Sequence, residues 1–389
     1  MGYEQNRKET PLAKLFLSFL RLGATAFGGP TMVAYIQEMS VKRYRWISVD
    51  EFKRGVALCQ SIPGATAMQM AAYVGLIKRG LPGAVATFSG FGLPAFVFML
   101  FLSWLYTIFG NLPVVTSLLK GLQVIVVAIV ANATYIFAKD TMKIYLSLII
   151  AILSASAFWF GISPFFIIIG AALTGIIGIK FNNDPFLSEK GGHNNSQFYS
   201  FLYPVAFTVL GTAILFGINR RLFELAIIML KIDLFAFGGG FAALPLMLQE
   251  IVHVRSWIDN KTFMDGIALG QVTPGPIIIT ATFVGFLTNG IAGSIVATLS
   301  IFIPSFTMLI LGANIFNMLK QSVYFQAAIK GIFASFVGLL IFVTFKFAFA
   351  VSWDVIKVII CLCAVGALLK KIDIIYIVLT GAMVSVLLL

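Results

Sequence analysis

Long apolar runs are the feature that most constrains this chain. Nine of them reach the length of about 17–25 residues that a bilayer-spanning helix needs, at residues 81–109, 114–138, 143–160, 162–180, 199–217, 291–319, 324–349, 353–369 and 372–389. Only 11% of all residues are charged, against roughly 25% in an ordinary soluble domain. Since so few charges cannot cover a water-exposed surface, we predict an all-α polytopic membrane protein that lies in the lipid bilayer.

The charged and reactive residues exclude several other functions. The formal net charge is +12, which in a membrane protein is typical of basic anchors in cytoplasmic loops rather than of nucleic-acid binding. The chain has only two His and three Cys, without the spacing of a metal site, and it contains neither a phosphate-binding loop nor a catalytic triad. We therefore predict no enzyme, no catalytic residues, no cofactor, no metal and no nucleic-acid partner.

The chain repeats itself with an offset of about 210 residues. The sequence AFGG occurs at 26–29 and again at 236–239, and the pattern Gln-x-x-Pro-Gly occurs at 60–64 and at 271–275. Matches at Gln and Pro that stay in register are rarely produced by chance. They predict a first transmembrane repeat over 1–180, a polar linker with one extra transmembrane helix over 181–221, and a second repeat over 222–389.

Basic loops predict how the repeats are oriented. Clusters of Lys and Arg occur at 41–54 and at 78–80, and both are expected on the cytoplasmic side. If so, 55–77 is a re-entrant hairpin that turns at Pro63-Gly64. In the second repeat the basic residues flank segments whose counterparts in the first repeat face outward. We therefore expect two homologous repeats of inverted topology.

Four apolar stretches are interrupted at matching places in the two repeats, namely 12–40, 55–77, 222–248 and 266–288. Glycines inside a membrane serve close helix packing as often as function. Broken backbone, however, persists at membrane depth only where it is buried or lines a wet cavity, and the helix N-termini beside it attract anions. The predicted substrate-binding residues at the breaks are Phe27, Gly28, Gly29, Pro30, Gln60, Pro63, Gly64, Thr66, Gln69, Gly238, Gly239, Gly240, Gln271, Thr273, Pro274, Gly275 and Pro276.

Charged residues inside apolar runs form a second group of candidates, because a charge at mid-membrane is costly. Arg21 and Lys231 occupy equivalent positions shortly before AFGG, and we add them to the substrate site. Lys120 and Lys330 are a second equivalent pair, and snorkelling to the membrane surface is the alternative for all four. Asp233 is expected to pair with Lys231, its alternative role being that of a proton-linked carboxylate.

The sequences AFGGP (26–30), ALCQSIPGATAMQ (57–69), FGGGFAALPL (237–246) and ALGQVTPGP (268–276) resemble those of the chromate ion transporter family, in its long type with two domains in one chain. The resemblance implies gradient-driven chromate efflux that gives chromate resistance, in a prokaryotic cell membrane, with sulfate as competitor. Two positions depart from the family pattern: Val33 stands where many relatives have His, and Ala65 follows Pro63-Gly64 where many have proline.

We therefore predict a secondary transporter whose two repeats bind an oxyanion at a midplane site made of broken helices. A sulfate or other oxyanion transporter is one alternative, and a passive anion channel is another. A lipid-handling or scaffold protein is a third, which the intramembrane cations disfavour. The substrate partner is chromate or a sulfate-like oxyanion, and a homodimer is compatible with the sequence.

Overall fold

The computed structural model describes residues 10–27, 31–178 and 200–389, without the side chains of 314–321. Of these residues 86% are helical and none lies in a strand, which confirms the all-α prediction. The first repeat contains α1 (Leu12–Thr25), α2 (Thr31–Gln37), α3 (Val49–Ser61), α4 (Thr66–Phe109), α5 (Pro113–Thr141), α6 (Tyr145–Trp159) and α7 (Pro164–Gly178). After α8 (Leu202–Ile218), the second repeat contains α9 (Arg220–Phe235), α10 (Ala243–Met247), α11 (Asn260–Val272), α12 (Thr280–Gln321), α13 (Val323–Ala350), α14 (Val355–Leu369) and α15 (Ile374–Leu388).

Four segments of the described chain are long and apolar enough to cross a membrane, namely Thr66–Phe109, Pro113–Thr141, Ile277–Ala313 and Val323–Ala350. The runs predicted at 143–160, 162–180, 353–369 and 372–389 form helices of 15 residues each. Such a helix rises about 22 Å, which is less than the hydrocarbon thickness of about 30 Å.

The longest helices, α4 and α12, each fold back on themselves. Helical backbone angles are interrupted at Arg79-Gly80 in α4 and at Asn289-Gly290 in α12, where each glycine has a φ of about 60°. A Cβ on Gly75 would lie 2.2 Å from the carbonyl oxygen of Gly83, so the two arms touch just beside the reversal. Only glycine permits this close approach of two backbones.

The second interrupted stretch of each repeat is a helical hairpin, which we call hairpin 1b (49–78) and hairpin 2b (260–288). Hairpin 1b turns at Pro63-Gly64 and brings Gly55 against the ring of Tyr73. Hairpin 2b turns at Pro274-Gly275 and brings Gly266 against the ring of Phe283. The first arms, α3 and α11, have 13 residues each and rise about 20 Å, so neither is long enough to cross the bilayer. The predicted reversal at Pro63-Gly64 is confirmed.

The first interrupted stretch of each repeat also returns on itself, and we call these segments hairpin 1a (12–43) and hairpin 2a (220–254). In hairpin 1a, the Lys14 amine lies 5.5 Å from the ring of Tyr44, which follows the second arm. In hairpin 2a, Lys231 on one arm contacts Glu250 on the other. Both second arms end in a π-helical turn, at Glu38–Arg43 and at Leu248–Val254.

The remaining helices of the two repeats pack crosswise. Helix α13 packs on α6 and α7 of the first repeat, and α5 packs on α14 and α15 of the second. The hydroxyls of Thr134 on α5 and Thr344 on α13 are 3.3 Å apart, at a separation of 210 residues. This contact between equivalent residues and the reciprocal packing are expected of repeats related by a pseudo-two-fold axis.

Helix α8 joins the repeats. It is apolar, and none of its side chains is buried against the described part of the protein. This is the pattern expected of a helix that faces lipid on most sides. The predicted polar linker at 181–198 lies outside the described residues.

Candidate functional site

The turns of the hairpins meet across the two repeats. The backbone N–H of Gly64, at the turn of hairpin 1b, donates to the carbonyl oxygen of Ala236 in hairpin 2a (2.9 Å). In the same way, the N–H of Gly275 in hairpin 2b donates to the carbonyl oxygen of Ala26 in hairpin 1a (3.1 Å). The breaks predicted from the sequence are therefore brought together in pairs, each with one member from either repeat.

At the turn of hairpin 2a, two of the three glycines, Gly239 and Gly240, lie beside the starts of two other helices. Gly238 and Gly239 have φ values of 101° and 95°, which favour glycine. A Cβ on Gly239 would lie 3.8 Å from the hydroxyl of Thr66, the first residue of α4. A Cβ on Gly240 would lie 3.7 Å and 3.5 Å from the backbone nitrogens of Ile277 and Ile278, which open the helical turn before α12.

This convergence provides hydrogen-bond donors of a defined kind. The first N–H groups of a helix have no partner within the helix, and together with the helix dipole they form a favourable environment for an anion. The hydroxyl of Thr66 adds a side-chain donor. The rings of Phe137 and Phe333 lie beside Gly238 and give the site an apolar wall. The equivalent Gly28, Gly29 and Pro30 lie outside the described residues, and the adjoining Phe27 is half-buried.

An open groove of about 480 Å³ runs along hairpin 1b, between α2 and α3. Its polar lining is formed by Gln37, Lys53 and Gln60, and Val33 also lines it. Gln60 is exposed, and its amide is therefore accessible to a solute. Lys53 places a positive charge in the same groove.

Several predicted polar residues bond to the backbone around the breaks. Gln69 is fully buried and donates from its amide nitrogen to the carbonyl oxygen of Pro63 (2.5 Å). Thr273 donates to the carbonyl oxygen of Gly270 (2.9 Å). These contacts stabilise the turns at Pro63 and Pro274. Gln69 and Thr273 therefore support the backbone and do not present these donor groups to a ligand. Gln271 differs, since its buried amide nitrogen has no hydrogen-bond partner in the described part of the chain.

The structure places the predicted cations away from the glycine breaks. Arg21, Lys120 and Lys330 are exposed. Lys231 lies over the ring of Phe165, 3.7 Å from its centroid, and forms an ion pair with Glu250 (2.9 Å).

Glu250, whose side chain is 7% exposed, also contacts Arg255. The expected pairing of Lys231 with Asp233 is therefore wrong, because the buried Glu250 on the opposite arm of hairpin 2a takes the lysine.

Asp233 is buried against the junction of hairpins 1b and 2a. One of its carboxylate oxygens, Oδ2, accepts the backbone N–H of Ser305 on α12 (2.7 Å). The other, Oδ1, has no hydrogen-bond partner among the described residues. It would lie 3.1 Å from a Cβ on Gly64, so the carboxylate sits directly beside the turn of hairpin 1b.

Sequence reasoning missed several polar groups of this region. The donors at Ile277 and Ile278 are backbone atoms within an apolar run, and they give no signal in the sequence. Glu250 could have been found, because it lies ten residues after Gly240 and Lys231 lies nine residues before it, so a hairpin that turns at this break brings the two side chains together. Asp265 was also missed: it is buried and accepts hydrogen bonds from Gln123 (2.8 Å) and Tyr106 (3.0 Å), which tie hairpin 2b to the first repeat.

The fold and the site define a class of protein: a polytopic helical membrane protein of two homologous repeats, with broken helices that meet across the repeats. The family model for chromate transporters matches the chain twice, over residues 13–176 and 223–386. The chain belongs to the chromate transporter family, whose members are transporters and not enzymes.

Relatives are found in both archaea and bacteria. The chain is 41% identical to an uncharacterized transporter of Methanocaldococcus jannaschii, over 99% of this chain and 96% of the relative. It is 28% identical to the chromate transport protein of Cupriavidus metallidurans, over 92% of this chain and 88% of the relative. It is 29% identical to the chromate transport protein of Pseudomonas aeruginosa, over 84% and 79%. No solved structure gives a significant match.

Proposed function

We propose that this protein is a secondary transporter that moves chromate, or another divalent oxyanion of the same shape, across the plasma membrane of a prokaryotic cell. The relatives from Cupriavidus and Pseudomonas are named chromate transport proteins. The observation that carries the proposal is the convergence of the starts of α4 and α12 on the turn of hairpin 2a.

A tetrahedral oxyanion needs donors from several directions once it loses its water. Backbone N–H groups at Ile277 and Ile278 approach from hairpin 2b, and the hydroxyl of Thr66 approaches from hairpin 1b. Glycine at 239 leaves room for the ion, since a side chain there would occupy the space beside the hydroxyl of Thr66. Fixed donors of this type stabilise negative charge strongly where water is excluded.

Positive potential comes from hairpin 2a itself. Lys231 and Arg255 share the single carboxylate of Glu250, so the cluster carries one net positive charge. Lys231 lies seven residues before Gly238, a rise of about 10 Å along a helix. In this proposal the cluster attracts the dianion without direct contact, and Arg21, Lys120 and Lys330 add weaker, more distant attraction.

An inverted arrangement of the repeats accounts for the way in which the hairpins meet. Hairpins 1a and 1b are joined by the short segment 44–48, so their open ends share one side of the membrane, and the same holds for hairpins 2a and 2b. Each turn bonds to a turn of the other repeat. Because every hairpin arm is short, turns that enter from opposite sides meet near the midplane, where transporters of inverted repeats bind their substrates.

In this arrangement the groove beside Gln60 and Lys53 leads from the cytoplasmic side to the turn of hairpin 1b. We assign to this groove the capture of the anion before export, which would give chromate resistance. A passive channel is the alternative mechanism, and sulfate is the alternative substrate.

Uptake into liposomes tests the proposal. Purified protein is reconstituted, and the movement of chromate and of sulfate is measured under imposed pH and voltage gradients. Saturable chromate movement against its own gradient is expected. A current that rises linearly with voltage without saturation would establish a channel. If neither chromate nor sulfate moves into the liposomes, the proposal is refuted.

Gly239→Leu is the matching variant, because a leucine there fills the space beside Thr66. Gly211→Leu on the exposed helix α8 is its control, since a Cβ at Gly211 would have no neighbour within 4 Å in the described part of the protein. Loss of transport in the first variant alone is expected.

A further inference from the structure

We infer that Asp233 is the site that binds and releases a proton during transport, at the junction of hairpins 1b and 2a. The inference rests on the proposed function, because the proton is taken to be coupled to the movement of the anion. Its structural basis is the surroundings of one carboxylate.

Asp233 is fully buried and has no cation beside it in the described structure. Lys231, two residues earlier, is held by Glu250. A buried carboxylate without a cation is unfavourable, and such a group takes up a proton instead.

The elements packed around Asp233 bring no other charge to it. Helix α12 has no charged residue from Thr280 to Ala313, α10 has none, and α8 has one titratable residue, Tyr203, in its first turn. In hairpin 1b the charges of α3 lie in its first two turns, far from the turn at Gly64, and the nearer titratable groups are Cys59 and Tyr73. Protonation of Asp233 is therefore not opposed by a neighbouring positive charge.

The hydrogen bonds of the carboxyl group leave one place for a proton. Oδ2 is occupied by the N–H of Ser305, while Oδ1 is buried without a partner among the described groups. The side-chain oxygen Oε1 of Gln69 is a second buried acceptor without a partner there. Because the amide of Gln69 bonds to Pro63, both free acceptors lie beside the same Pro63-Gly64 turn.

A proton fits this place better than a metal cation does. A hard cation such as Ca²⁺ needs six to eight oxygen ligands, and among the side-chain oxygens of the described residues the junction offers two without a partner, Asp233 Oδ1 and Gln69 Oε1. No group of three or more His, Cys, Asp or Glu that could hold a metal occurs in the part of the chain that the structure describes. A proton requires a single oxygen.

The position of Asp233 also connects it to movement. The bond from the N–H of Gly64 to the carbonyl oxygen of Ala236 closes the junction over the carboxyl group. When the hairpin turns separate towards one side of the membrane, Oδ1 becomes accessible to the water of that side and the proton leaves there as hydronium. When they separate towards the other side, the carboxylate takes a proton from the water there, and the junction closes on the neutral group. The carboxyl group thus carries one proton across the membrane in each cycle.

The first repeat lacks this device. Position 23 is the equivalent of Asp233 and carries Gly23, and the equivalent of Ser305 is Ala95. Gly23 is packed so tightly that a Cβ would lie 2.2 Å from the carbonyl oxygen of Phe91. The carboxyl group is therefore specific to one of the two junctions.

Infrared difference spectroscopy of the protein in lipid tests the protonation directly. At neutral pH the parent should show the C=O band of a protonated carboxyl group, and Asp233→Asn should lack that band. Asp140→Asn, which changes an exposed aspartate, is the control and should retain it. A parent without the band at neutral pH overturns the inference.

Liposome transport tests the coupling. If one proton moves with each anion, a gradient of one pH unit supports about a tenfold accumulation of chromate. Asp233→Asn should lose this accumulation but retain exchange of labelled chromate at equal pH. Asp233→Gly combined with Ser305→Ala installs the first repeat's own pair at this junction, and it should behave in the same way if the asparagine variant does not fold.

The outcomes separate the two proposals. Failure of the parent to move chromate, with the carboxyl band present and lost in Asp233→Asn, refutes the proposed function and leaves the proton site intact. Unchanged pH-driven accumulation in Asp233→Asn refutes the inference. Accumulation that follows a sodium gradient in place of the pH gradient also refutes it.

Discussion

The hydroxyls of Thr134 and Thr344 are 3.3 Å apart, although 210 residues separate them in the chain. The same offset relates the two copies of AFGG, so these threonines are equivalent residues of the two repeats. Helix α13 packs on α6 and α7, and α5 packs in return on α14 and α15. This reciprocal packing, together with the contact between equivalents, is the pattern expected of two duplicated halves related by a two-fold axis.

Cross-linking tests this axis. Thr134→Cys and Thr344→Cys, introduced together after the three native cysteines are replaced by serine, are expected to form a disulfide under mild oxidation, because the two hydroxyls nearly touch. A protease site placed between residues 185 and 195 allows detection, since the two halves should then stay together on a non-reducing gel. Thr134→Cys alone, with the three native cysteines likewise replaced, is the control, and its halves should separate.

Sided labelling tests the inverted topology. Asp50 and Lys261 are equivalent and exposed, each near the start of the first arm of hairpin 1b or 2b. Single cysteines at these positions should react with an impermeant thiol reagent from opposite sides of the membrane. Labelling of both from the same side would show parallel repeats and remove the midplane argument.

Gly64 should not tolerate alanine. Its φ is 108°, and a Cβ would lie 2.2 Å from the Cβ of Ser305. Overpacking alone costs about 1–3 kcal/mol, and the unfavourable φ adds to it. The melting temperature of Gly64→Ala in detergent should fall clearly below that of the parent, whereas Gly211→Ala should leave it unchanged. Equal melting temperatures for all three proteins would mean that the turn of hairpin 1b does not lie against Ser305 of α12 as described.

Thr66→Val should weaken anion binding without loss of the fold. Its hydroxyl faces the glycine break, and a hydrogen bond to a charged group contributes about 1.5–3 kcal/mol, or about 10–100-fold in affinity. Thr273→Val is the matched control, because that hydroxyl already bonds to the carbonyl oxygen of Gly270. Calorimetric titration with chromate measures both variants. A larger loss of affinity in Thr273→Val than in Thr66→Val would mean that Thr273, and not Thr66, contacts the anion.

Lys231 and Arg255 should each be able to neutralise Glu250 when the other is replaced. Either cation alone still neutralises Glu250, so Lys231→Gln should insert and fold, with reduced anion affinity because the local net charge falls. The double variant with Arg255→Gln leaves a buried carboxylate unpaired, which costs about 3–5 kcal/mol. Melting temperatures in detergent measure the difference, and simple additivity of the two single effects would contradict the shared ion pair.

The fold was largely predictable because its determinants are local and repeated. Apolar length marks the helices, and the turns at Gly64 and Gly275 follow from Pro-Gly steps that occur twice. What could not be predicted was the partner of each turn, because Gly64 bonds to a carbonyl group in the other repeat and backbone atoms leave no trace in the sequence.

The candidate site was predictable only in part for a similar reason. Breaks in apolar runs identify Gly239 and Gly240, but whether a polar side chain serves the ligand or the backbone depends on packing. Gln69 and Thr273 proved to hold turns, and Lys231 proved to be paired with Glu250. These assignments depend on contacts between segments that are distant along the chain.

The two bonds that join the hairpin turns are made entirely by peptide groups. Such a junction does not depend on the identity of the surrounding side chains, provided that glycine supplies the N–H donor. The residues around it can therefore diverge while the contact between the two repeats is kept. Asp233 and Ser305 at one junction, where Gly23 and Ala95 stand at the other, are such a divergence. A molecule assembled from two similar halves thereby has two junctions of different chemistry.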